Sequence, residues 1–253
     1  MDNIKFFSVL NSGDDDFVPF YDNFIEHLKP FGLDKHHHLI RIKSESGMYN
    51  SQNFRKISFA KLNHTRKFLK QGYTVVLSDL DLVFLRNPIP YLLTALEKHD
   101  LVIQSSRGQW NPRNKGCGPR KMNPNPHRRR APQKMLHPHV NTGFFAVKPT
   151  PLTIDFFDAS EKIPRRSSHR NDQVYIHSKL LTKGDKYKNM NPLILDCRLF
   201  PNAKFWIDHH HLVGGDQWRA NPYIVHYHYH TRHHRTNQDK INSMKRFGHW
   251  KNK

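Results

Sequence analysis

The chain is short of acidic residues, of cysteine and of long apolar runs. Its 253 residues hold 21 Asp and Glu against 41 Lys and Arg, a formal net charge of +20. No stretch reaches the roughly 18 to 20 apolar residues that cross a bilayer, and the apolar run 4–10 is too short for a signal peptide. Two cysteines, Cys117 and Cys197, give no disulfide framework and are compatible with a reducing compartment. We therefore expect a cytoplasmic protein without a transmembrane segment.

The excess of basic residues favours an anionic partner. Nucleic acid is the first class to consider, but the basic residues form neither the helix stripe nor the aromatic-interleaved sheet of common nucleic-acid-binding modules. Much of the excess lies in segment 107–139, which is rich in proline and contains no Asp or Glu. Prolines and unpaired like charges oppose a packed core. We expect a basic Pro-rich loop or insertion here, either merely solvated or binding an acidic glycan, an anionic surface or a diphosphate.

The most informative segment is the apolar run 75–77, which is followed by Asp79 and Asp81. Side chains two residues apart on a strand leave the same face, so the two carboxylates are expected to meet at one point. Like charges this close need a cation, and oxygen ligands suit Mg²⁺ or Mn²⁺. The acids can also simply end a strand at a solvated turn. At the end of a buried parallel strand, however, they indicate a metal site that holds a phosphate.

Two enzyme classes place Asp-x-Asp after an apolar strand. In haloacid-dehalogenase-like phosphatases the first Asp attacks phosphate, whereas in GT-A glycosyltransferases the pair holds a divalent cation against the diphosphate of a nucleotide sugar. The phosphatase motif usually lies on the first strand and needs a later pair of acids for magnesium. Here the pair lies well inside the chain, and the stretch 101–154 contains no Asp or Glu. The transferase is favoured, and the phosphatase is the alternative.

The rest of the chain alternates between strand and helix patterns. Strand patterns at 5–11 and 38–42 and helix patterns at 16–28 and 54–69 lead into the strand before the acids. This β-α-β-α-β order predicts an α/β fold with a mostly parallel sheet flanked by helices. We expect later helices at 91–98, 152–162 and 172–181, and later strands at 100–104, 144–147 and 223–227. One domain spanning 1–253 is the simplest organisation.

Five sequence blocks together resemble one family. In chain order they are Lys61 with 69–73, then 78–88, 141–145, 171–173, and finally 225–228 with Lys240 and 248–250. These blocks resemble the nucleotide-diphospho-sugar transferase family of GT-A type, which includes plant rhamnogalacturonan xylosyltransferases and extensin arabinosyltransferases. The order of the blocks makes this match far more specific than the acid pair alone.

The resemblance implies a single GT-A-like domain with a Rossmann-like central sheet. It further implies transfer of a sugar such as xylose, arabinose or galactose from a nucleoside diphosphate sugar, UDP-linked, to a hydroxyl of a glycan or glycoprotein acceptor. The expected cofactor is Mn²⁺ or Mg²⁺, and the expected stereochemistry is retention. Two alternatives stay open: a haloacid-dehalogenase-like phosphatase, and a basic nucleic-acid-binding protein on a degenerate transferase fold.

The resemblance also assigns a metal site. Asp79 and Asp81 would hold the cation, Asp79 directly or through water, and His226 on the strand pattern 223–227 would complete the shell. His228 and His230 share the face of His226 by strand alternation, so a three-histidine zinc site is a weaker alternative.

The remaining site residues are expected to contact the donor. Lys61 would project from its helix toward the donor, Lys240 would clamp a phosphate, and Asn141 and Gly143 would form a turn close to the sugar.

The block that contains Asp172 and Gln173 would face the reacting sugar. Because the pair faces the reacting sugar in the family, Asp172 is interpreted as the carboxylate nearest the anomeric carbon. Asp172 would then be the base of an inverting reaction or an orienting and stabilising group in a retaining one.

Overall fold

The computed structural model describes residues 3–11, 17–43, 52–106, 120–121, 140–158, 171–182, 184–210, 221–228 and 236–252. Of the predicted basic loop 107–139, only 120–121 therefore belong to the described residues. His230 lies outside them as well.

Strands and helices alternate along the first half of the chain. The strands are β1 (Ile4–Asn11), β2 (His37–Ile42), β3 (Thr74–Ser78), β4 (Leu82–Phe84), β5 (Leu101–Ser105), β6 (Arg120–Lys121), β7 (Val140–Val147), β8 (Pro192–Ile194) and β9 (Ile224–His226). The helices are α1 (Val18–Leu28), α2 (Gln52–Lys70), α3 (Ile89–Lys98), α4 (Pro151–Phe156), α5 (Asp172–Thr182), α6 (Gly184–Tyr187), α7 (Ala203–His209) and α8 (Asn237–Arg246). Short 3-10 turns at Lys29–Phe31 and Asp34–His36 join α1 to β2.

The central sheet has the strand order β2-β1-β3-β7-β5-β8-β6. Strand β1 pairs in parallel with β2 and β3, and β5 pairs in parallel with β8. Strand β7 runs antiparallel to both β3 and β5, and β6 runs antiparallel to β8. Within this seven-stranded sheet, all strands except β6 and β7 therefore run in one direction. This confirms the predicted α/β architecture with a mostly parallel sheet.

The two faces of the sheet carry separate apolar cores, because successive strand residues point to opposite sides. Phe7 and Val75 lie in the core on the side of α2, α4 and α5. Their neighbours Phe6 and Val76 lie in the core on the side of α1, α3, α7 and α8. The sheet is thus a middle layer between two layers of helices, and the loops at its edge are left to form a site.

A second, two-stranded sheet joins the C-terminal part of the chain to the segment after β3. In it β4 pairs antiparallel with β9.

The described part of the chain contains no helix that is long and apolar enough to cross a membrane. Cys197 is disulfide-bonded. The cysteines therefore do not support the expected reducing compartment.

Candidate active site

The two acids of the Asp-x-Asp motif lie on a turn. Strand β3 ends at Ser78 and β4 begins at Leu82, so Asp79 and Asp81 stand between the strands. The prediction that the acids leave one face of a strand was therefore wrong about the element. They converge because the turn is held on both sides: the Asp79 N–H donates to the Gly143 carbonyl at 2.7 Å, and the Asp81 carbonyl accepts from the Tyr227 N–H at 2.8 Å.

The pairing of β4 with β9 selects His226 among the candidate histidines. In this register His226 lies opposite Leu82, one residue after Asp81. Its Nε2 lies 3.1 Å from Asp81 Oδ1. Asp79, Asp81 and His226 each offer a ligand atom within 4.8 Å of the others, and this group contains no second histidine among the described residues. The His228 ring lies 5.2 Å from the His226 ring.

The chemistry of these three side chains fits a divalent cation. Two carboxylates and an imidazole are a ligand set that Mn²⁺ accepts, and Mg²⁺ takes the carboxylate oxygens. Asp81 Oδ1 and His226 Nε2 are buried, and neither has a hydrogen-bond partner among the described residues. Such atoms are costly in a folded protein unless a cation or a proton satisfies them.

Gly143 leaves room at the centre of this group. A Cβ at this position would lie 2.3 Å from His226 Cε1 and 2.8 Å from Asp79 Oδ2. The backbone of Gly143 therefore comes close to the side chains of His226 and Asp79, and its predicted approach to the sugar stays a prediction.

Asn141 holds that backbone in place. Its Oδ1 accepts the Gly143 N–H at 2.8 Å, and its side chain is buried. The pairing of β7 with β5 shifts at the same point, since Ile103 lies opposite Phe145 but Gln104 lies opposite Asn141. Such an irregularity re-aims the strand where regular pairing ends.

Lys240 of α8 contacts the acid pair from the C-terminal side. Its Nζ donates to Asp81 Oδ2 at 2.6 Å, and both side chains are almost fully buried. Burial alone would raise the pKa of Asp81, but the Lys240 ammonium and His226 hold it well below its usual range. Lys240 therefore lies at the site with its ammonium on a carboxylate, and its contact with a phosphate stays a prediction.

Lys61 of α2 joins the first acid to Asp172. Its ammonium bonds to Asp79 Oδ1 and lies 3.7 Å from Asp172 Oδ2. Burial alone would lower the pKa of Lys61, but the carboxylates of Asp79 and Asp172 raise it above its ordinary value. Helix α2 can place Lys61 here because it packs on β1, β3 and α5.

Asp172 and Gln173 open α5. The Oδ1 of Asn171 accepts the Val174 N–H at 2.9 Å, as a helix cap does, and Asp172 follows in the first turn. The Asp172 side chain is 6% exposed, and Gln173 is half-buried. Because the Lys61 ammonium contacts both carboxylates, Asp172 lies close to Asp79.

Sequence reasoning missed Gln104, a fully buried amide one residue before the end of β5. Its Oε1 lies 2.7 Å from His226 Nδ1. A glutamine near the end of a strand matches no motif, and its partner is 122 residues away in the sequence.

Comparison with known proteins agrees with this geometry. The family model of nucleotide-diphospho-sugar transferases matches residues 22–244. Arabinosyltransferase RRA2 of Arabidopsis thaliana is 28% identical over 178 residues, which are 69% of this chain and 40% of that protein. Beta-arabinofuranosyltransferase RAY1 of the same plant is 26% identical over 183 residues, 67% of this chain and 28% of that protein. The chain thus spans less than half the length of either curated relative.

Solved structures show the same fold. A glycosyltransferase involved in the glycosylation of the major capsid of PBCV-1 superposes with a TM-score of 0.54 at 12% identity, over 96% of this chain and 98% of that chain. The bifunctional glycosyltransferase WbbM superposes with a TM-score of 0.51 at 10% identity, over 95% of this chain and 49% of that chain.

The family match covers most of the chain and includes the turn with the acids, the start of α5 and most of α8. It supports a transferase over both the phosphatase and the nucleic-acid-binding alternatives. The chain belongs to the nucleotide-diphospho-sugar transferase family.

Proposed function

We propose that the chain is a metal-dependent, retaining transferase that moves a sugar from a UDP-linked donor to a hydroxyl of a glycan or glycoprotein acceptor. The observation that carries the proposal is the convergence of Asp79, Asp81 and His226 on one point. Asp172 lies next to this point, linked through Lys61. Such a site can hold a cation against a diphosphate and present the attached sugar to a carboxylate.

In this proposal Asp79, Asp81 and His226 hold Mn²⁺ or Mg²⁺. The cation supplies neutralisation of the charge that develops on the leaving diphosphate. Gly143 keeps space for it, since a side chain here would meet two of the three ligands. Asn141 acts through Gly143, because its side chain bonds to the backbone of that residue.

Lys61 and Asp172 form the part of the site next to the sugar. The Lys61 ammonium contacts both carboxylates, and Asp172 and Gln173 would face the reacting sugar. In a retaining reaction the departing phosphate can accept the acceptor's proton, so Asp172 is needed for orientation and for stabilising positive charge on the sugar.

Lys240 has a different place from the predicted phosphate clamp. Its ammonium is buried on Asp81, so a phosphate contact would require this pair to open. We assign it the task of orienting Asp81, with contact to the diphosphate as the alternative.

Arabinose is the first sugar to test, because both curated relatives are named as arabinosyltransferases. Xylose and galactose complete the donor series. An anionic acceptor is also part of the proposal, and it rests on the net charge of +20.

Calorimetric titration of UDP with and without Mn²⁺ tests the donor site. We expect binding that needs the metal and that is lost in Asp79→Asn, whose acid is partly exposed and so can be changed with little effect on folding. Asp34→Asn, on the turn Asp34–His36, is the matched control and is expected to bind like the wild type. UDP binding that ignores both the metal and Asp79 would contradict the proposal.

Product analysis tests the reaction. The protein is incubated with each UDP-sugar, Mn²⁺ and a panel of neutral and acidic oligosaccharides, and NMR of the product gives the anomeric configuration. Retention with one of the three sugars is the expected result. An inverted product would agree with transferase activity but would contradict retention and the role assigned to Asp172.

A further inference from the structure

Gln104 is a buried polar group at a position where the sheet would otherwise bury an apolar side chain. Its side chain is fully buried, and its neighbours Val102 and Ile103 belong to the two apolar cores. An amide in such surroundings has to find partners for both its oxygen and its NH₂ group.

The partners of Gln104 determine which way its amide points. Its Nε2 lies 3.0 Å from the Phe200 carbonyl and 3.3 Å from the Pro201 carbonyl. Carbonyl oxygens can only accept, so the NH₂ group must face them and Oε1 must face the opposite side. A flipped amide would place three oxygen atoms against one another. The chemistry of the neighbours therefore fixes the orientation without reference to hydrogen positions.

The orientation of Gln104 in turn fixes the ring of His226. Gln104 Oε1 is an acceptor 2.7 Å from His226 Nδ1, so Nδ1 must carry a hydrogen. The backbone of His226 is held by the same loop, since its N–H donates to the Pro201 carbonyl at 3.0 Å. In a neutral imidazole with hydrogen on Nδ1, the lone pair is on Nε2.

That lone pair faces the proposed metal site. His226 Nε2 lies 3.1 Å from Asp81 Oδ1, and the described residues place no hydrogen-bond partner on either atom. Two acceptors this close repel each other unless a cation lies against both, and in the loaded enzyme this cation is the metal.

We propose that Gln104 is the positioning residue of the metal site, which locks the tautomer and the ring plane of His226 so that Nε2 is the ligand atom. This inference rests on the proposed metal-dependent function and extends it to a residue outside the acid motif. Hydrogen bonds to the second nitrogen of a ligating histidine commonly have this effect, and their loss typically weakens metal binding by about 10- to 100-fold.

The tautomer of the His226 ring can be measured without any metal. In the metal-free protein, long-range ¹H–¹⁵N NMR at a pH where imidazole is neutral distinguishes protonated from unprotonated ring nitrogens. His226 is assigned from the signal that disappears in His226→Asn. We expect hydrogen on Nδ1 in the wild type, and a mixture or hydrogen on Nε2 in Gln104→Met. Hydrogen on Nε2 but not on Nδ1 in the wild type, or an unchanged tautomer in Gln104→Met, would overturn the proposal.

Metal affinity provides the second measurement. Titration of Mn²⁺ followed by electron paramagnetic resonance is expected to show binding weakened by about 10- to 100-fold in Gln104→Met. Thr153→Val is the control, because Thr153 is a fully buried polar side chain whose hydroxyl donates to the Lys148 carbonyl at 2.7 Å. We expect it to lower stability and leave Mn²⁺ affinity unchanged.

A purely structural role for Gln104 predicts a different result. Gln104→Met would then resemble Thr153→Val, with lower thermal stability and wild-type Mn²⁺ affinity, and this would overturn the proposal. Failure of the wild type to bind Mn²⁺ would overturn the proposed function and, with it, the role of Gln104 in metal binding. The tautomer measurement separates failure of the proposed function from failure of the role of Gln104, because it shows in the absence of metal whether Gln104 fixes the His226 tautomer.

Discussion

The two halves of the candidate metal site use the same chemical pair, a lysine on an aspartate, in different surroundings. In the open half, Lys61 and Asp79 have side chains that are 14% and 29% exposed. In the closed half, Lys240 and Asp81 are 2% and 8% exposed. A charge in contact with water can exchange partners, whereas a buried charge that loses its partner is strongly destabilising. The difference suggests that the open half handles the substrate and the closed half holds the site together.

The closed half also has an anchor in the last residues of the chain that the structure describes. The Tyr227 hydroxyl lies 2.7 Å from His249 Nδ1. The carbonyl of His249 lies 2.8 Å from His27 Nε2 and accepts from Asn23 Nδ2 at 3.2 Å. The segment after α8 is thus tied both to the residue after His226 and to α1.

Removing the buried Lys240 ammonium is expected to cause the largest loss of stability. Lys240→Met leaves the Asp81 carboxylate buried beside His226 alone, and breaking such a pair costs about 3–5 kcal/mol. Urea denaturation measures the loss. The control is Lys148→Met, whose ammonium lies 3.5 Å from Asp100 in a partly exposed pair (32% and 18%), and it should cost only about 1 kcal/mol. A similar small loss for Lys240→Met would mean that the closed half is not held by this pair.

Lowering the pH is expected to have the second-largest effect on stability, through His249 in the anchor of the closed half. Burial lowers the pKa of His249 to about 4, with help from the charges of His27 and Lys251. Because unfolded histidine titrates near 6.5, the unfolded state binds more protons between these values. The contribution of His249 is complete above about pH 6.5 and is lost as the pH falls toward about 4, by about 3 kcal/mol in the limit.

Denaturation near neutral pH and again near pH 4.5, for the wild type and His249→Gln, measures this contribution. The variant is expected to be less stable at neutral pH and to lose less on acidification. Parallel losses in the two proteins would assign the acid sensitivity to other histidines, such as His37, whose pKa burial lowers to about 3.

Filling the space between the two halves is expected to have an intermediate effect. Gly143→Ala would place a methyl group 2.3 Å from His226 Cε1, so the ring or the strand must move. We expect Mn²⁺ binding to weaken by at least about tenfold, as in other changes beside metal ligands. Gly32→Ala is the control, since Gly32 has φ 66° and no atom within 4 Å of an added Cβ. It should cost about 1 kcal/mol of stability and leave Mn²⁺ affinity unchanged.

Removing the Lys61 ammonium, which is partly exposed, is expected to cost less stability than removing that of Lys240. In Lys61→Met water can solvate the freed Asp79, but Asp172 at 6% exposed also loses a contact, so we expect a loss of about 1–3 kcal/mol. Turnover should nevertheless fall on the order of a hundredfold, because Asp79 and Asp172 lose their shared positive charge next to the sugar. Stability is measured by urea denaturation and turnover by UDP release. A large stability loss with unchanged turnover would reverse the assignment of the two halves.

Much of the fold could be predicted from local patterns. The order β1-α1-β2-α2-β3 follows from alternating strand and helix periodicity, and the Asp-x-Asp acids follow the third of these strands as expected. The helix predicted at 152–162 is shorter, since α4 ends at Phe156 with Phe157 as its cap. The acids lie on a turn, because the chain leaves the sheet at Ser78 and enters a second sheet at Leu82. Local periodicity cannot show that departure, which depends on the pairing of β4 with β9.

The sequence by itself determined the family, the layered α/β architecture and the identity of the acids, because these depend on periodicity and on motifs of a few neighbouring residues. Only the tertiary structure selected His226 by strand register and placed Lys240 on Asp81 across 159 residues of sequence. It also revealed Gln104, whose partners lie 96 to 122 residues away. Contacts of this range leave no local signal, since burial and strand pairing create them only when the chain has folded.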